Sequence, residues 1–269
     1  MQKNMVLTSN YCDKHTYFLN GEVKVKPIQM MILDGQELCP KCGVEKETQK
    51  LEESENQRIR QVLENRNQNI LYKQSIITDE TILKASFENF VATQEEEIKN
   101  KQLCLDALKQ LKQGQVFNVL LIGNQGAGKS HLAYSMLNEL NSNNNVSCLF
   151  ISVEEAMRLI KSSFNDKGSK YTEQYFVSLM SSVDYLVLDD LGAETGAINT
   201  EKTATDFVQR VLYAVSSARQ SKVTITTTNL SSETLFNMYD KKLVSRLMKK
   251  PKFILFKNTK DKRISSLPF

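Results

Sequence analysis

A glycine-rich stretch, Gly-Asn-Gln-Gly-Ala-Gly-Lys-Ser at residues 123–130, has the composition and spacing needed to hold phosphate. In this Gly-x4-Gly-Lys-Ser pattern the glycines let backbone N–H groups face the phosphates. Lys129 adds a cation for the β- and γ-phosphates, and Ser130 offers a hydroxyl to Mg2+. A strand-like run precedes the loop, and a helical pattern begins at Lys129. The positive end of the helix dipole also favours phosphate. A chance glycine turn, the alternative, would lack this context. The predicted ATP-binding residues are Gly123, Asn124, Gln125, Gly126, Ala127, Gly128, Lys129, Ser130 and His131, with Lys129 also catalytic.

Two acids end an apolar run at residues 185–190. A buried parallel strand that delivers a carboxylate at its carboxyl end is where a phosphate-loop enzyme holds Mg2+. We assign Asp189 to the metal, through water, and Asp190 to polarising the attacking water; an acidic turn after a strand is the alternative. The β-branched run 222–228 predicts another central strand, and the polar Asn229 at its end would lie beside the γ-phosphate and orient water.

Four potential metal ligands occur as two close pairs near the start of the chain. Cys12 and His15 form Cys-x2-His, and Cys39 and Cys42 form Cys-x2-Cys. Two such pairs at this separation are typical of a zinc ribbon, in which each pair lies on a tight turn. The four ligands would close the site, which favours a structural zinc ion over a catalytic one. A redox pair or buried, unliganded cysteines are the alternatives.

Residues 1–43 are therefore predicted to form a small zinc-ribbon-like domain. Glu22–Lys26 alternates like a strand, and Met30–Leu33 is predicted to be its hairpin partner. Because so small a unit can bury little apolar surface, the metal would supply much of its folding free energy.

Composition places the chain among ordinary globular proteins. It has 269 residues, of which 41% are hydrophobic and 25% charged, and a net charge of +4 that does not by itself indicate nucleic-acid binding. No window approaches the roughly 20 apolar residues of a membrane span, and the first residues lack a signal-peptide core, so we expect no membrane association and a cytoplasmic location in a bacterial or phage-infected cell. Five cysteines in such a compartment favour metal binding over disulfides.

The rest of the chain divides by pattern into an arm and a larger domain. Residues 44–84 are predicted to be a polar linker or docking arm; Val44–Lys73 contains neither Gly nor Pro and reads as an exposed helix, although a flexible tether remains equally open. Residues 85–269 alternate strands with helices. This alternation predicts a mostly parallel sheet covered on both faces, with ligand bound at the carboxyl ends of its strands.

The ordered set of these patterns resembles the AAA+ ATPases of the DnaC/DnaI helicase-loader group, with the IstB transposition ATPases as close relatives. The resemblance rests on residues 123–133 and 186–194, on Thr-Thr-Asn-Leu at 227–230 and on Leu-Val-Ser-Arg-Leu at 243–247; Ala-Ser-Phe-Glu-Asn-Phe at 85–90 adds to it. It implies an α/β fold with an AAA+ phosphate-loop NTPase core, a parallel five-stranded sheet and no C-terminal lid. The zinc pattern followed by a polar helix is more similar to phage and DnaI-type loaders than to IstB.

The resemblance also implies roles for individual residues. Asn229 matches the sensor-1 position, and Arg246 matches an arginine finger that reaches the γ-phosphate of a neighbouring subunit; a surface cation on a basic helix is the alternative for Arg246. Phe87 and Phe90 would flank the adenine, unless they are plain core residues. Arg263 is a weak substitute for the arginine of the missing lid.

The implied function is ATP-dependent loading of a replicative DnaB-family hexameric helicase onto single-stranded DNA. The zinc domain and arm would bind the helicase, the ATPase domains would associate with one another, and the helical insertion at about 154–182 would line a DNA path. Its candidate DNA-binding residues, for which a solvated charged face is an equal alternative, are Arg158, Lys161, Ser162, Lys167 and Lys170.

Other functions are weaker matches to the sequence. The main alternative is an IstB-like transposition ATPase or regulator, against which the zinc pattern counts. A small-molecule phosphate-loop kinase lacks an acceptor-binding lid here. A zinc adaptor with a degenerate nucleotide site is disfavoured because Lys129, Ser130, Asp189 and Asp190 are all present.

Overall fold

A computed structural model describes residues 6–142, 146–196 and 203–262. The chain forms two compact units, Met1–Val62 and Leu63–Phe269, which are described separately below. The boundary between them lies inside the long helix α1.

The first unit contains five short strands in two sheets. β4 (Ile28–Leu33) pairs antiparallel with both β1 (Val6–Cys12) and β5 (Gln36–Leu38). β2 (Thr16–Leu19) and β3 (Glu22–Val25) form a separate hairpin.

The predicted pairing of Glu22–Lys26 with Met30–Leu33 is therefore wrong. Asn20-Gly21 forms a turn with positive φ at both residues, which folds β3 back onto β2, and Asp34-Gly35 does the same between β4 and β5. Asn-Gly and Asp-Gly are the sequences that such two-residue hairpin turns favour, because both central residues need positive φ. The signal for the correct pairing was thus present in the sequence.

Helix α1 (Pro40–Gln74) confirms the helical reading of Val44–Lys73 over the flexible tether. Most of its described side chains are exposed. Toward its carboxyl end, however, Leu71 is fully buried in the core of the second unit, and Ile76 just beyond the helix pairs with Ile151. The second unit thus begins upstream of residue 85.

The second unit is built on a five-stranded sheet in which all pairings are parallel, as predicted. The apolar, partly β-branched strands are buried on both faces, which is characteristic of parallel sheets, except that the edge strand at residues 251–256 leaves Phe253 and Leu255 exposed. Their order across the sheet is β10-β6-β9-β8-β7. Their bounds are β6 Asn118–Gly123, β7 Cys148–Ser152, β8 Tyr185–Asp189, β9 Val223–Thr228 and β10 Pro251–Phe256.

Helices cover both faces of this sheet. Successive strand residues point to opposite faces, so Leu121 and Val187 lie in one core with helices α2 and α3, whereas Leu186 and Leu188 lie in a second core with α4, α5, α6, α7 and α8. The helices are α2 Glu95–Lys112, α3 Lys129–Asn141, α4 Val153–Ser163, α5 Glu173–Ser182, α6 Asp206–Ala218, α7 Ser232–Met238 and α8 Lys241–Leu247.

Because the strands are parallel, the carboxyl ends of β6, β8 and β9 lie at one edge of the sheet, where the loops that follow them meet. After β10 no helix forms within the described residues up to Lys262. In the described part of the chain, no helix combines the length and apolar character required to cross a bilayer.

Candidate nucleotide-binding site and metal centre

The glycine-rich loop connects the end of β6 directly to the first turn of α3. Gly128 lies at the helix N-cap with φ of +88°, a left-handed conformation that side chains disfavour. A Cβ at this position would also lie 2.6 Å from Cε2 of Phe90, so glycine is needed for both space and conformation. The loop therefore brings its backbone N–H groups and the α3 N-terminus to one point, the arrangement that binds phosphate.

The ammonium group of Lys129 lies at the centre of the loop. Its Nζ donates to the carbonyl oxygens of Gly123 and Asn124, at 2.8 and 2.7 Å, and to Oδ1 of Asn229 at 2.7 Å. Asn229 immediately follows β9, so the tertiary structure brings this predicted residue to the loop lysine.

The two acids lie behind and beside the loop. Asp189, the last residue of β8, is 7% exposed, whereas Asp190 adopts a left-handed conformation and lines the adjoining cavity. Burial raises the pKa of Asp189 to about 6 and the Asp190 charge adds to the rise, while hydrogen bonds from Thr227 and Ser130 and the Lys129 charge oppose it. Carboxylate and hydroxyl oxygens are ligands that Mg2+ accepts, so the Ser130–Asp189 pair fits that ion.

Thr227 joins the two acids, a role that the sequence analysis did not assign. Its hydroxyl donates to Oδ1 of Asp189 at 2.7 Å and accepts from the backbone N–H of Asp190 at 2.8 Å. One side chain of the neighbouring strand thus holds both acids. The presence of Thr227 in the Thr-Thr-Asn-Leu run was the only available signal.

A cavity of about 590 Å3 adjoins these groups, a size suited to a nucleotide. The loop, Asp190 and Asn229 line one end of it. Further lining residues include Ile82, Phe90 and Glu97, which precede the strands of this sheet, and residues 260–262, which follow them. Of the two predicted adenine-flanking residues, both are buried but only Phe90 lines the cavity.

The family of this chain follows from comparison with known proteins. The family described as IstB-like ATP binding protein matches residues 46–250. This chain belongs to the IstB-like ATP-binding protein family.

Among curated IstB-like relatives, the replicative helicase loader DnaC of Escherichia coli K12 is 28% identical over 121 residues, which is 45% of this chain and 46% of DnaC. The chain thus spans about half the length of the curated relatives it matches. The similarity is consistent with the resemblance derived above from the motifs.

Solved structures support the AAA+ fold of this IstB-like protein. A crystal structure of the DnaC helicase loader aligns with a TM-score of 0.55 at 18% identity, covering 66% of this chain and 99% of that one. The crystal structure of DnaI aligns at 0.54 and 25% identity, covering 67% and 95%. AMPPCP-bound DnaA from Aquifex aeolicus aligns at 0.51 and 22% identity, covering 65% and 51%.

The segment after β10 returns to the phosphate loop of the IstB-like domain. Glu96 accepts from the backbone N–H groups of Lys257 and Asn258, and the Lys262 N–H then donates to the Gly126 carbonyl at 3.1 Å. The Lys262 ammonium pairs with Glu97 at 3.2 Å. The sequence analysis selected Arg263 in this region, which lies outside the described residues, and it did not identify Lys262, because no local motif marks that contact.

The predicted finger, Arg246, lies away from this cavity. Asn118, the first residue of β6, donates through Nδ2 to the carbonyl oxygens of Arg246 and Leu247, whereas the phosphate loop begins at the opposite end of the same strand. Five residue steps along β6 correspond to about 16 Å. The arginine side chain therefore lies at the far edge of the sheet from the nucleotide cavity of its own chain.

The five residues predicted to contact DNA are all exposed. Arg158 is engaged by the Glu155 carboxylate, and Lys170 lies 4.9 Å from the ring centroid of Tyr171. Lys161 lies 5.8 Å from the ring of Phe207.

In the first unit, the four predicted zinc ligands meet, with their ligand atoms all within 4.8 Å of one another. The sulfur atoms of Cys12 and Cys42 are 3.8 Å apart, and His15 Nε2 lies 3.3 and 3.2 Å from the sulfur atoms of Cys39 and Cys42. Tetrahedral bonds of about 2.3 Å place sulfur ligands about 3.8 Å apart, so the cluster fits Zn2+.

Two features support metal binding at this cluster. Although burial opposes it, N–H groups of Cys42 and Lys41 and the His15 ring lower the pKa of Cys39 to about 7, which favours at that residue the thiolate that zinc requires. At Cys42, burial and the neighbouring Cys12 and Cys39 sulfur atoms instead raise the pKa to about 11. On the other side of the imidazole, His15 Nδ1 lies 3.6 Å from Oε1 of Glu45, a carboxylate that can orient the ring.

Proposed function

We propose that this chain is an ATP-hydrolysing helicase loader. It binds a replicative DnaB-family hexameric helicase through its N-terminal region and helps to place that helicase on single-stranded DNA. The observation that carries the ATPase part is the convergence of Lys129, Asp190 and Asn229 on one cavity of nucleotide size. Similarity to DnaC and DnaI supports the loader part.

The proposed reaction follows from the contacts that Lys129 makes with the loop and with Asn229. Lys129 exchanges its hydrogen bonds to the loop carbonyls for bonds to the β- and γ-phosphate oxygens. Ser130 and Asp189 would hold Mg2+, and the ion would neutralise phosphate charge. Asp190 accepts the proton of the attacking water, and Asn229, released from Lys129, orients that water.

Complete catalysis requires a second copy of the chain in this proposal. Because Arg246 lies at the far edge of the sheet, it serves the nucleotide of a neighbouring subunit rather than its own. A cation delivered in this way stabilises charge on the transferred phosphoryl group. Hydrolysis therefore depends on self-association, and it rises more steeply than linearly with protein concentration.

In this proposal the zinc-binding domain and the arm that follows it bind the helicase. The domains in this proposal are the zinc-binding domain 1–43, the arm 44–84 and the ATPase domain 85–269. On the β2–β3 hairpin, Phe18 and Val23 are paired across the strands and are 72% and 65% exposed, so the hairpin offers apolar surface to a partner.

DNA contacts are assigned to the five exposed residues of helix α4 and the turn that follows it. Mixed charge and few exposed aromatic rings favour backbone contacts without sequence readout. Binding should accordingly weaken as salt rises. Replacing Lys161 and Lys167 together by Ala should lower affinity equally for oligonucleotides of different sequence.

The second candidate is an IstB-like transposition ATPase, which the matched family favours. Co-purification of the full chain with candidate replicative helicases, with and without ATP, distinguishes the two. Stable association with a hexameric helicase supports the loader. Absence of binding to the helicase of the source cell in either nucleotide state, with ATPase activity retained, would reject the loader in favour of the transposition function.

A further inference from the structure

An aromatic ring supports the guanidinium of Arg246. Its Cζ atom lies 4.4 Å from the ring centroid of Tyr213 on helix α6, within the range of a cation–π contact. Nη1 also donates to the Lys242 carbonyl at 3.1 Å. Within the described ranges, no carboxylate forms an ion pair with Arg246.

The two residues are mounted on helices that pack firmly together. Val211 and Leu212 of α6 share a core with Leu243 and Val244 of α8, and all four are buried. Tyr213 itself is 38% exposed. The pair therefore lies at the rim of the contact between these two helices. The Arg246 backbone is also fixed by Asn118, which donates to its carbonyl oxygen.

Two nearby arginines are already committed to internal contacts. Arg219 is buried and donates to the carbonyl oxygens of Met180 and Val183. Arg210 makes two hydrogen bonds to Glu173. Arg210 also lies 5.7 Å from the ring centroid of Phe207, but a carboxylate binds its guanidinium. Arg246 differs because its contacts within the described residues are a ring and one carbonyl oxygen, which leaves N–H donors for an anion.

The surroundings of Arg246 are strongly cationic. A cleft of about 100 Å3 beside it is also lined by Lys222, Lys249 and Lys250, and no acidic residue from the described part of the chain lines it. This surface suits an anionic group brought by another molecule.

We propose that Tyr213 is a positioning residue that holds the Arg246 guanidinium in place for the terminal phosphates of a nucleotide bound to a second copy of this chain. The inference rests on the proposed function, since it needs Arg246 to act on a neighbouring subunit. Tyr213 fixes the cation before assembly, so less side-chain freedom is lost when the two copies meet. The ring acts through its π face, and the hydroxyl is dispensable.

The first test compares Tyr213→Ala with Tyr213→Phe in the full-length protein. Tyr213→Ala lowers kcat roughly fivefold, equivalent to about 1 kcal/mol, and leaves the Kd for ATP unchanged. Tyr213→Phe keeps kcat. Phe236→Ala, which removes a ring of similar exposure at 43%, is the matched control and keeps kcat.

A mixing experiment provides the second readout. Lys129→Ala chains cannot bind ATP but present Arg246, whereas Arg246→Ala chains bind ATP but lack the cation. Mixing the two restores turnover. Adding Tyr213→Ala to the Lys129→Ala chain lowers the restored turnover roughly fivefold, and adding Tyr213→Phe preserves it.

The outcomes separate the inference from the function on which it rests. Full rescue by the chain carrying both Lys129→Ala and Tyr213→Ala, or an equal kcat loss in Tyr213→Phe and Tyr213→Ala, overturns the positioning role and leaves the trans-acting arginine intact. Unchanged turnover in Arg246→Ala overturns the trans-acting arginine itself, and the inference with it.

Discussion

The ammonium nitrogen of Lys129 lies 2.7 Å from the amide oxygen of Asn229, although one hundred residues separate them in sequence. The contact joins the phosphate loop to the end of a strand that lies beside β6 in the sheet. It holds both side chains at the place where the terminal phosphates are proposed to bind.

Replacing Lys129 by Ala should lower ATP affinity by roughly 100-fold or more, because the site loses a charge-assisted donor to phosphate. Isothermal titration or a fluorescent ATP analogue measures the change. Lys99→Ala, at an exposed position on α2 that does not line the cavity, is the control and should bind normally. Retained affinity in the Lys129 variant would contradict the assignment of the loop.

Asp189→Asn should stabilise the nucleotide-free protein above about pH 6. The folded state raises the pKa of Asp189 from 3.8 to about 6, so ionisation of this buried group opposes folding, by at most about 3 kcal/mol. The penalty in the wild type appears as pH rises from 3.8 to 6. Asparagine cannot ionise, so the melting temperature of the variant should exceed that of the wild type at pH 8, and the difference should shrink as pH falls toward 4.

Thermal unfolding of both proteins at several pH values, without nucleotide or Mg2+, checks this. An advantage that does not change with pH would show that burial of the Asp189 charge is not its cause. Asp189→Asn should also lose Mg2+-dependent turnover. The Asp189 carboxylate would then lower the stability of the protein while being required for its function.

Thr227→Val should lower kcat roughly tenfold with little change in ATP affinity. The substitution keeps the shape of the side chain but removes the hydroxyl that contacts both acids, so the Asp190 N–H loses this partner and Asp189 loses one of its hydrogen bonds. Steady-state kinetics and direct ATP binding separate the two effects. The adjacent Thr226 provides the control, because its hydroxyl is buried and has no hydrogen-bond partner within the described residues. Thr226→Val should therefore be neutral or stabilising, and equal losses in both variants would argue against a specific role for Thr227.

The purified full-length protein should contain one zinc ion per chain, held by thiolates and an imidazole. Cys39→Ala should lose it, because a three-ligand site is open and binds less tightly. Elemental analysis after dialysis measures the content. Cys104→Ala tests specificity: this cysteine is buried in the ATPase core, so its loss should cost stability but not zinc. Zinc retained in the Cys39 variant would mean that the four residues are not the ligand set.

Much of the fold of the second unit and of its candidate nucleotide site could be predicted because the determining signals are local. The loop residues lie within one turn and its flanks, and the acids follow one apolar strand. The alternation of strands with helices then dictates a parallel sheet, whose strand ends must converge. The four candidate zinc ligands were likewise recognisable as two close pairs. In the first unit, the hairpin error arose because the Asn20-Gly21 turn was not weighed against the strand pattern.

The sequence alone thus determined the chemistry of this protein: a phosphate loop, a pair of acids and a four-ligand metal cluster, each defined by residues a few positions apart. The tertiary structure alone decided which distant residues support that chemistry. Thr227 beneath the acids, Lys262 at the loop and Tyr213 beneath Arg246 are brought to their partners only by strand order and helix packing. A local pattern records the type and spacing of neighbouring residues, whereas these contacts depend on the register of elements far apart in the chain.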